Sequence, residues 1–349
     1  MKILVIGGTR FVGRHFVTAA LARGHELTLF NRGKHAAQPF ADVETIHGDR
    51  NSELHKLAGR RWDAVLDTCG LLPRAVKASA EALRDAVDLY VFVSSQSVYA
   101  DVSRPGVDEN SPTETLTVEQ LDNVKAIDPA TATAVSLGDM YGGLKVLCED
   151  AAEALMPGRV LVQRPGLIVG PYDYTDRFTY WVARVARGGQ VLAPGRPERH
   201  VQFIDARDLA DLTVRMIEQK RAGVYNCNGL PGAITMGTLL DECKAVAGSD
   251  ASFTWADEAF LLERKVAAWS ELPLWLPESE DSLKGFMFAS VDKAIDAGLA
   301  FRPVTETIAD TLTWWQTTAT DEPMKAGLAA EKERTLLSEW QRTSTGNLA

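Results

Sequence analysis

The sequence predicts a doubly wound α/β fold, a parallel sheet covered by helices on both faces, with a smaller substrate lobe interleaved in its C-terminal half. Three observations lead there. Short and nearly continuous Val, Ile and Leu runs recur through the first half, as strands buried on both faces require. Helical patterns separate those runs, at 11–23 and 74–86, so crossovers rather than hairpins join the strands. The first run also breaks at a glycine turn that opens the first helix.

Taken in order, the runs at 3–6, 26–30, 43–47, 64–67 and 89–93 are the expected strands, and those at 160–163 and 224–227 extend the same sheet. Residues 101–139 are rich in Asp, Thr, Ser, Pro and Ala with weak periodicity, which reads as loops and short helices near an active-site mouth, a candidate lid. A helix follows at 139–155. The sheet domain is then 1–170 with about 201–228, and the lobe is 171–200 with 229–316. Residues 317–349 read as a surface helix and tail, since 325–334 are highly charged and 343–349 are small and polar.

Bulk properties narrow the function classes. With 349 residues the chain can bury a large core, and its 46% hydrophobic and 24% charged shares exclude a disordered polymer. A net charge of -10 repels polyphosphates on average, so nucleic acid is not the expected partner. The four cysteines, at 69, 148, 227 and 243, have neither CxxC pairing nor histidines at ligand spacing, so no metal site is expected. The apolar opening MKILVIGG is too short for a signal segment, and no run reaches the roughly 18 apolar residues of a membrane span. A cytoplasmic protein without membrane contact is expected.

The glycine turn is the first candidate site. In GGTRFVG, Gly7 suits the tight turn and Gly13 the close helix packing, while Thr9, Arg10, Phe11 and Val12 lead into a helix whose free N–H groups and dipole attract a pyrophosphate. This is the phosphate end of a Rossmann dinucleotide site. The second strand ends Asn31-Arg32, where an NAD site usually carries an acid for the ribose. Arg32, beside Arg10 or Lys34, suits a 2′-phosphate instead, so NADP(H) is favoured and NAD(H) is the alternative. Asp49 and Arg50 end the third strand near the expected adenine, and Thr68, Cys69 and Gly70 after the fourth pass under the cofactor.

The reactive candidates come next. Tyr141 and Lys145 stand four apart on one helical face, so both reach one substrate. A phenol ordinarily titrates near 10, and an adjacent ammonium with a cationic nicotinamide favours the phenolate, which makes a tyrosine a usable proton donor or acceptor. Ser94 and Ser95 end the fifth strand on the cofactor side of the sheet, where the Ser95 hydroxyl can hold a substrate oxygen.

These pieces together resemble an extended or atypical short-chain dehydrogenase/reductase of the NAD-dependent epimerase/dehydratase group. The likeness covers about residues 1–316: GGTRFVG at 7–13, HGDR at 47–50, SSQSVY at 94–99, YGGLK at 141–145, RPGLIVGP at 164–171 and FIDARDLA at 203–210. It implies that Ser95, Tyr141 and Lys145 form a catalytic triad and that Pro165, Gly166 and Leu167 line the nicotinamide. It also implies a homodimer through paired helices, one carrying Tyr141. Departures limit the transfer. Gln96 and Ser97 stand where dehydratases carry an Asp-Glu pair, and Leu167 and Val201 stand where sugar-nucleotide epimerases present an Asn and an Arg. Arg177, Arg196, Arg199 and His200 offer a different anion site or a solvated basic loop. Trp181, Trp269, Trp275, Phe286 and Phe288, with ELPLWLP at 271–277, wall an apolar pocket or belong to the core.

Three functions remain on the sequence alone. The first is reduction of a carbonyl on a small molecule with NADPH, Tyr141 giving the proton. The second is nucleotide-sugar epimerisation with a tightly held dinucleotide. The third is a non-catalytic dinucleotide- or RNA-binding role, because the Arg10 form of the turn also resembles plastid RNA-binding relatives.

Overall fold

Seven parallel strands form one sheet in the order 3-2-1-4-5-6-11 in a computed structural model that describes residues 1–34, 39–129, 131–318 and 323–346, with side chains to 343. The first half runs β1 (Lys2–Ile6), α1 (Phe11–Ala22), β2 (Glu26–Asn31), β3 (Glu44–His47), β4 (Trp62–Asp67), α2 (Pro73–Leu83) and β5 (Val87–Val93). Period-two alternation divides the side chains of β1 between two layers. Leu4 and Ile6 join Phe30, Val65, Tyr90 and Phe92 under α2, while Ile3 and Val5 join Phe16, Leu29 and Val91 under α1. Both faces are thereby buried, which is why these strands read as unbroken apolar runs.

The 101–139 segment contains α3 (Val118–Ala126) and α4 (Ala134–Leu137), each opened by a capping box, Thr117 with Gln120 and Thr133 with Ser136. It is anchored rather than loose: Arg74 of α2 donates to the carbonyls of Val124 and Ile127, and Val124 and Leu137 pack with Leu72 and Leu144. Tyr141 rests against that cluster. Then come α5 (Tyr141–Leu155), which a short 3₁₀ turn at Gly138–Met140 shortens from the expected 139–155, and β6 (Val160–Pro165).

The lobe is threaded through the rest of the sheet domain. β7 (Leu167–Val169), within the expected sheet domain, instead packs Leu167 and Val169 into the lobe core and pairs in parallel with β10 (Phe203–Asp205) as a separate two-stranded sheet. The lobe uses α6 (Thr179–Ala186), β8 (Gln190–Pro194) and β9 (His200–Val201) before α7 (Ala206–Glu218) and β11 (Gly223–Cys227) return to the sheet domain. It continues through β12 (Ile234–Thr235), α8 (Met236–Ala247), β13 (Ser252–Ala256), α9 (Glu258–Glu263), α10 (Asp292–Asp296) and α11 (Val304–Thr318). α10 is the exception, packing Ala294 under the sheet with Val291 and Leu299. β8 and β13 pair in parallel over a core that includes Trp181, Leu240 and Trp275, so Trp181 and Trp275 are core residues and not cavity walls.

The last helix, α12 (Ala330–Gly346), does more than lie on the surface. Leu336 and Leu337 enter the lobe core, and buried Glu333 accepts from Arg184 Nε at 2.7 Å and from the Leu192 amide at 3.2 Å. Of the expected tail, 347–349 fall outside the described residues. Among the described residues no helix is long and apolar enough to cross a membrane, and no group of His, Cys, Asp and Glu has the makings of a metal site.

Candidate functional site

The strand order reverses between β1 and β4, and the carboxyl ends of these strands open the crevice where ligands of open α/β sheets bind. The glycine turn sits there. Gly7 has φ 110°, and a Cβ on it would lie 2.5 Å from Thr68 Oγ1; a Cβ on Gly13 would lie 2.7 Å from the Gly8 amide nitrogen. Only glycines allow α1 to close so tightly on the turn. Arg10 enters α1 in extended conformation without any side-chain cap, so the first N–H groups of the helix remain open to an anion. Phe11, at φ 27°, is a non-glycine residue held in the left-handed half of backbone space, a strain typical of ligand clamps. The turn therefore fits a pyrophosphate.

Arg10 occupies the position of the usual middle glycine, and its guanidinium stacks 4.0 Å from the Tyr174 ring centroid. Four residues on, Arg14 stacks on Tyr172 at 3.7 Å and donates to its hydroxyl at 3.1 Å. Thr9 and Val12 are half-buried on either side. The two tyrosines were not singled out in the sequence, although arginines spaced i,i+4 and tyrosines spaced i,i+2 already match.

At the end of β2, Asn31 Oδ1 accepts from the Gly33 amide at 2.9 Å and its buried Nδ2 has no partner, which leaves a donor for a ligand. Arg32 and Lys34 are exposed, and no carboxylate among the described residues pairs with either. Both lie within electrostatic reach of Asp49, whose carboxyl is held below its ordinary range chiefly by the Asn51 amide.

Arg50 departs from its expected place beside the adenine. Its guanidinium grips buried Asp67 in a two-pronged pair, 2.6 Å on each side, and also donates to Ser79 Oγ at 2.9 Å and the Ala75 carbonyl. Tyr90 completes that cluster through its hydroxyl, 2.8 Å from Asp67. Arg50 thus ties β3 to β4 and α2. Thr68 and Cys69 line the crevice floor, where Thr68 Oγ1 donates to the Ile6 carbonyl at 3.1 Å, and Gly70 presents its carbonyl to Lys145.

Lys145 is buried, and its ammonium donates to Gly70 O at 2.8 Å and Val93 O at 2.7 Å beside the Phe92 ring. Those two bonds pin α5 to the ends of β4 and β5. Tyr141, half-buried, stands one turn earlier on the same face. Ser95 caps a short turn, accepting from the Ser97 amide at 3.1 Å, and is half-exposed. Ser94 points the other way. Its hydroxyl donates to Glu149, which buried Arg164 holds at 2.6 Å, so Ser94 belongs to an internal network that runs on to Tyr99 and Asn226.

Pro165 is buried, Gly166 lies against the Asn228 side chain, and Leu167 belongs to the lobe core. Asn228 Nδ2 donates to Gln96 Oε1 at 2.8 Å, which joins this strand exit to the residue after Ser95. Of the four basic residues grouped in the sequence, Arg196 pairs with exposed Glu278 at 2.8 Å and Arg199 reaches only the Leu274 carbonyl. His200 packs edge-on to Phe288 with its Nδ1 buried and unpartnered, and Arg177 lies over the Trp269 ring at 5.4 Å.

A parallel sheet with its glycine turn at the switch point, and a Tyr-Lys helix pinned beside a serine strand end, defines a doubly wound α/β protein of the dinucleotide-binding architecture. The chain belongs to the NAD dependent epimerase/dehydratase family, whose model matches residues 3–227. It is 25% identical over 270 residues to the chloroplast stem-loop binding protein of 41 kDa b of Arabidopsis thaliana, covering 71% of this chain and 63% of that one. It is also 25% identical over 232 residues to the isoflavone reductase homolog IRL of Zea mays, covering 63% of this chain and 65% of the relative. The chain thus spans somewhat under two thirds of the length of these curated relatives. Among solved structures it is similar to a UDP-glucose 4-epimerase, with 14% identity, TM-score 0.67, and coverage of 93% of this chain and 100% of that one. A UDP-glucuronic acid 4-epimerase from Bacillus cereus in complex with NAD gives 16% identity, TM-score 0.64, and coverage of 92% and 100%. At these identities the structural likeness speaks for the fold.

Proposed function

We propose that this chain is an NADPH-dependent reductase of a small-molecule carbonyl. One observation supports the reading: Lys145 is buried with its ammonium fixed to Gly70 O and Val93 O, which anchors α5, the helix that begins at Tyr141, to the ends of β4 and β5 on the side of the glycine turn. When bound, the dinucleotide supplies the hydride. The first-turn amides of α1 and Arg10 hold its pyrophosphate, Asn31 and Arg32 take the ribose with its 2′-phosphate, and Thr68 to Gly70 support it from below. Ser95 orients the substrate oxygen, Tyr141 donates the proton to it, and the Lys145 ammonium steadies the phenol's charge. The absence of an acid after β2, with Arg32 free of a carboxylate partner among the described residues, supports NADP(H) over NAD(H). The maize relative's name, a reductase homolog, agrees with this reading.

A nucleotide-sugar epimerase is the second reading, supported by the solved structures that share the fold. A stem-loop binding role like that named for the Arabidopsis relative is opposed by the net charge of -10.

Fluorescence titration with NADPH and NADH, on the wild type and on Arg32→Glu, tests the cofactor. NADPH should bind more tightly to the wild type and lose that advantage in the variant; an unchanged NADPH affinity removes the phosphate role. NADPH consumption against simple aldehydes, ketones and UDP-glucose tests the chemistry, with Tyr141→Phe expected to lower turnover by about 10²–10⁴. Dinucleotide that stays bound through desalting favours the epimerase.

A further inference from the structure

Arg177 lies just before α6, and its guanidinium is half-buried with no carboxylate within 4.0 Å among the described residues. Among the described residues its one hydrogen bond runs from Nε to Thr175 Oγ1 at 3.3 Å, which leaves both terminal nitrogens of the fork without an acceptor there. Neither nitrogen is sealed from solvent. The nearest acid, Asp173, is already engaged by the Thr175 amide at 2.9 Å and hydroxyl at 2.7 Å, and burial pushes its carboxyl above the ordinary range toward the neutral form. Burial pushes the guanidinium's pKa below its ordinary value, and its two terminal nitrogens reach solvent without an acceptor among the described residues, so the fork is open to an oxyanion arriving from solution.

The surroundings link this cation to the Tyr141 side of the fold. Its guanidinium carbon lies 5.4 Å from the Trp269 ring centroid, and Trp269 meets Phe286 edge-on at 5.7 Å. The Phe286 carbonyl accepts from Gln96 Nε2 at 2.5 Å, and Gln96 directly follows Ser95. Tyr141 lies within electrostatic reach of Arg177 as well. Trp269 is itself held at φ 66°, in the left-handed region that a bulky residue adopts only under constraint, with its amide bonded to the Trp275 carbonyl at 3.1 Å.

We propose that the substrate of this site is an anion, a small molecule whose carboxylate or phosphate docks on the free fork of Arg177 while its planar or apolar body rests on Trp269 and Phe286 near Tyr141. The proposal rests on the reading of Tyr141 as the reacting residue, and it gives that reading a substrate class. Arginine presents two parallel donors to either oxyanion, so the two chemistries share the site and differ in size and charge.

Benzoate, phenyl phosphate and the neutral isostere benzamide are suitable probes, titrated against intrinsic tryptophan fluorescence and thermal unfolding of the full chain saturated with NADPH. Benzoate or phenyl phosphate should bind at about 10 mM or below while benzamide does not, and the tighter of the two identifies the anion. Arg177→Met should weaken that anion by about tenfold or more, and Arg177→Lys by less, since the charge remains but the fork is lost. NADPH affinity, followed in the same samples, should not change in either variant, which separates this proposal from the cofactor reading. Equal binding of benzoate and benzamide, unaltered anion affinity in a folded Arg177→Met protein, or no anion binding by the wild type would each overturn it.

Discussion

The guanidinium of Arg10 stacks 4.0 Å from the ring centroid of Tyr174, so the glycine turn of the sheet domain and the loop that opens the lobe meet directly. Tyr174 is 46% exposed, which puts the stack in the range of about 0.5–1 kcal/mol found at solvated sites. If Tyr174 orients Arg10 toward a phosphate, Tyr174→Leu weakens NADPH by about two- to fivefold. Arg10→Leu weakens it further, and Tyr174→Leu adds nothing in that background. A double-mutant cycle of dissociation constants reads the coupling, and independent effects of the two substitutions would remove the link.

Lys145 and Tyr141 separate structure from chemistry. Lys145→Met leaves the carbonyls of Gly70 and Val93 buried without their donor, at a cost of about 1–3 kcal/mol for such orphaned groups. Tyr141→Phe removes a hydroxyl at the crevice and should stay within about 0.5 kcal/mol of the wild type. Urea unfolding should therefore distinguish the variants even though both lose turnover, and equal stability would show that the ammonium does not brace α5.

How much of this was legible in the sequence differs from residue to residue for physical reasons. The sheet was readable because strands buried on both faces leave unbroken apolar runs, and Gly7, Tyr141 and Lys145 were readable because local spacing fixes their geometry. The sequence singles out Ser95 as the reactive hydroxyl but also sets Ser94 on the cofactor side. Adjacent strand residues face opposite sides, so Ser94 turns inward to Glu149 instead, a partner that its local sequence does not reveal. Arg50 pairs with Asp67 across seventeen positions, a contact that no local pattern announces. The burial of Leu336 and Leu337 under a charged helix surface was hidden by the composition of 325–334, because a one-faced helix keeps its average polarity.

Glu149 and Arg164 form a buried pair at 2.6 Å, with 8% and 7% of their side chains exposed, and Ser94 donates to the same carboxylate. Cutting one partner strands a charge inside the protein. Glu149→Ala should cost about 3–5 kcal/mol in a denaturant titration, more than its lost contacts alone explain. The double variant Glu149→Leu with Arg164→Met should recover most of that loss, because no charge is then left to solvate. A double variant no more stable than Glu149→Ala would show that the network is needed for packing rather than for charge balance.

His15 gives the fold a pH dependence of known sign. Its Nε2 lies 2.8 Å from the Pro171 carbonyl and therefore carries the proton, and the ring is packed between Phe11 and Tyr172. Burial lowers its pKa below the ordinary value, with the bond to Pro171 opposing part of that push. Well above about pH 6.5, from about pH 7.5 upward, the imidazole is neutral in both folded and unfolded chains and contributes no slope. As pH falls below that point the unfolded chain takes up the proton first, so stability drops until the folded ring also protonates. Between about pH 7.5 and 5.5 the wild type should thus lose more unfolding free energy than His15→Gln, which has no proton to bind. Urea midpoints of the two proteins across that interval measure the difference, and parallel curves would mean that His15 protonates as readily in the folded chain as in the unfolded one.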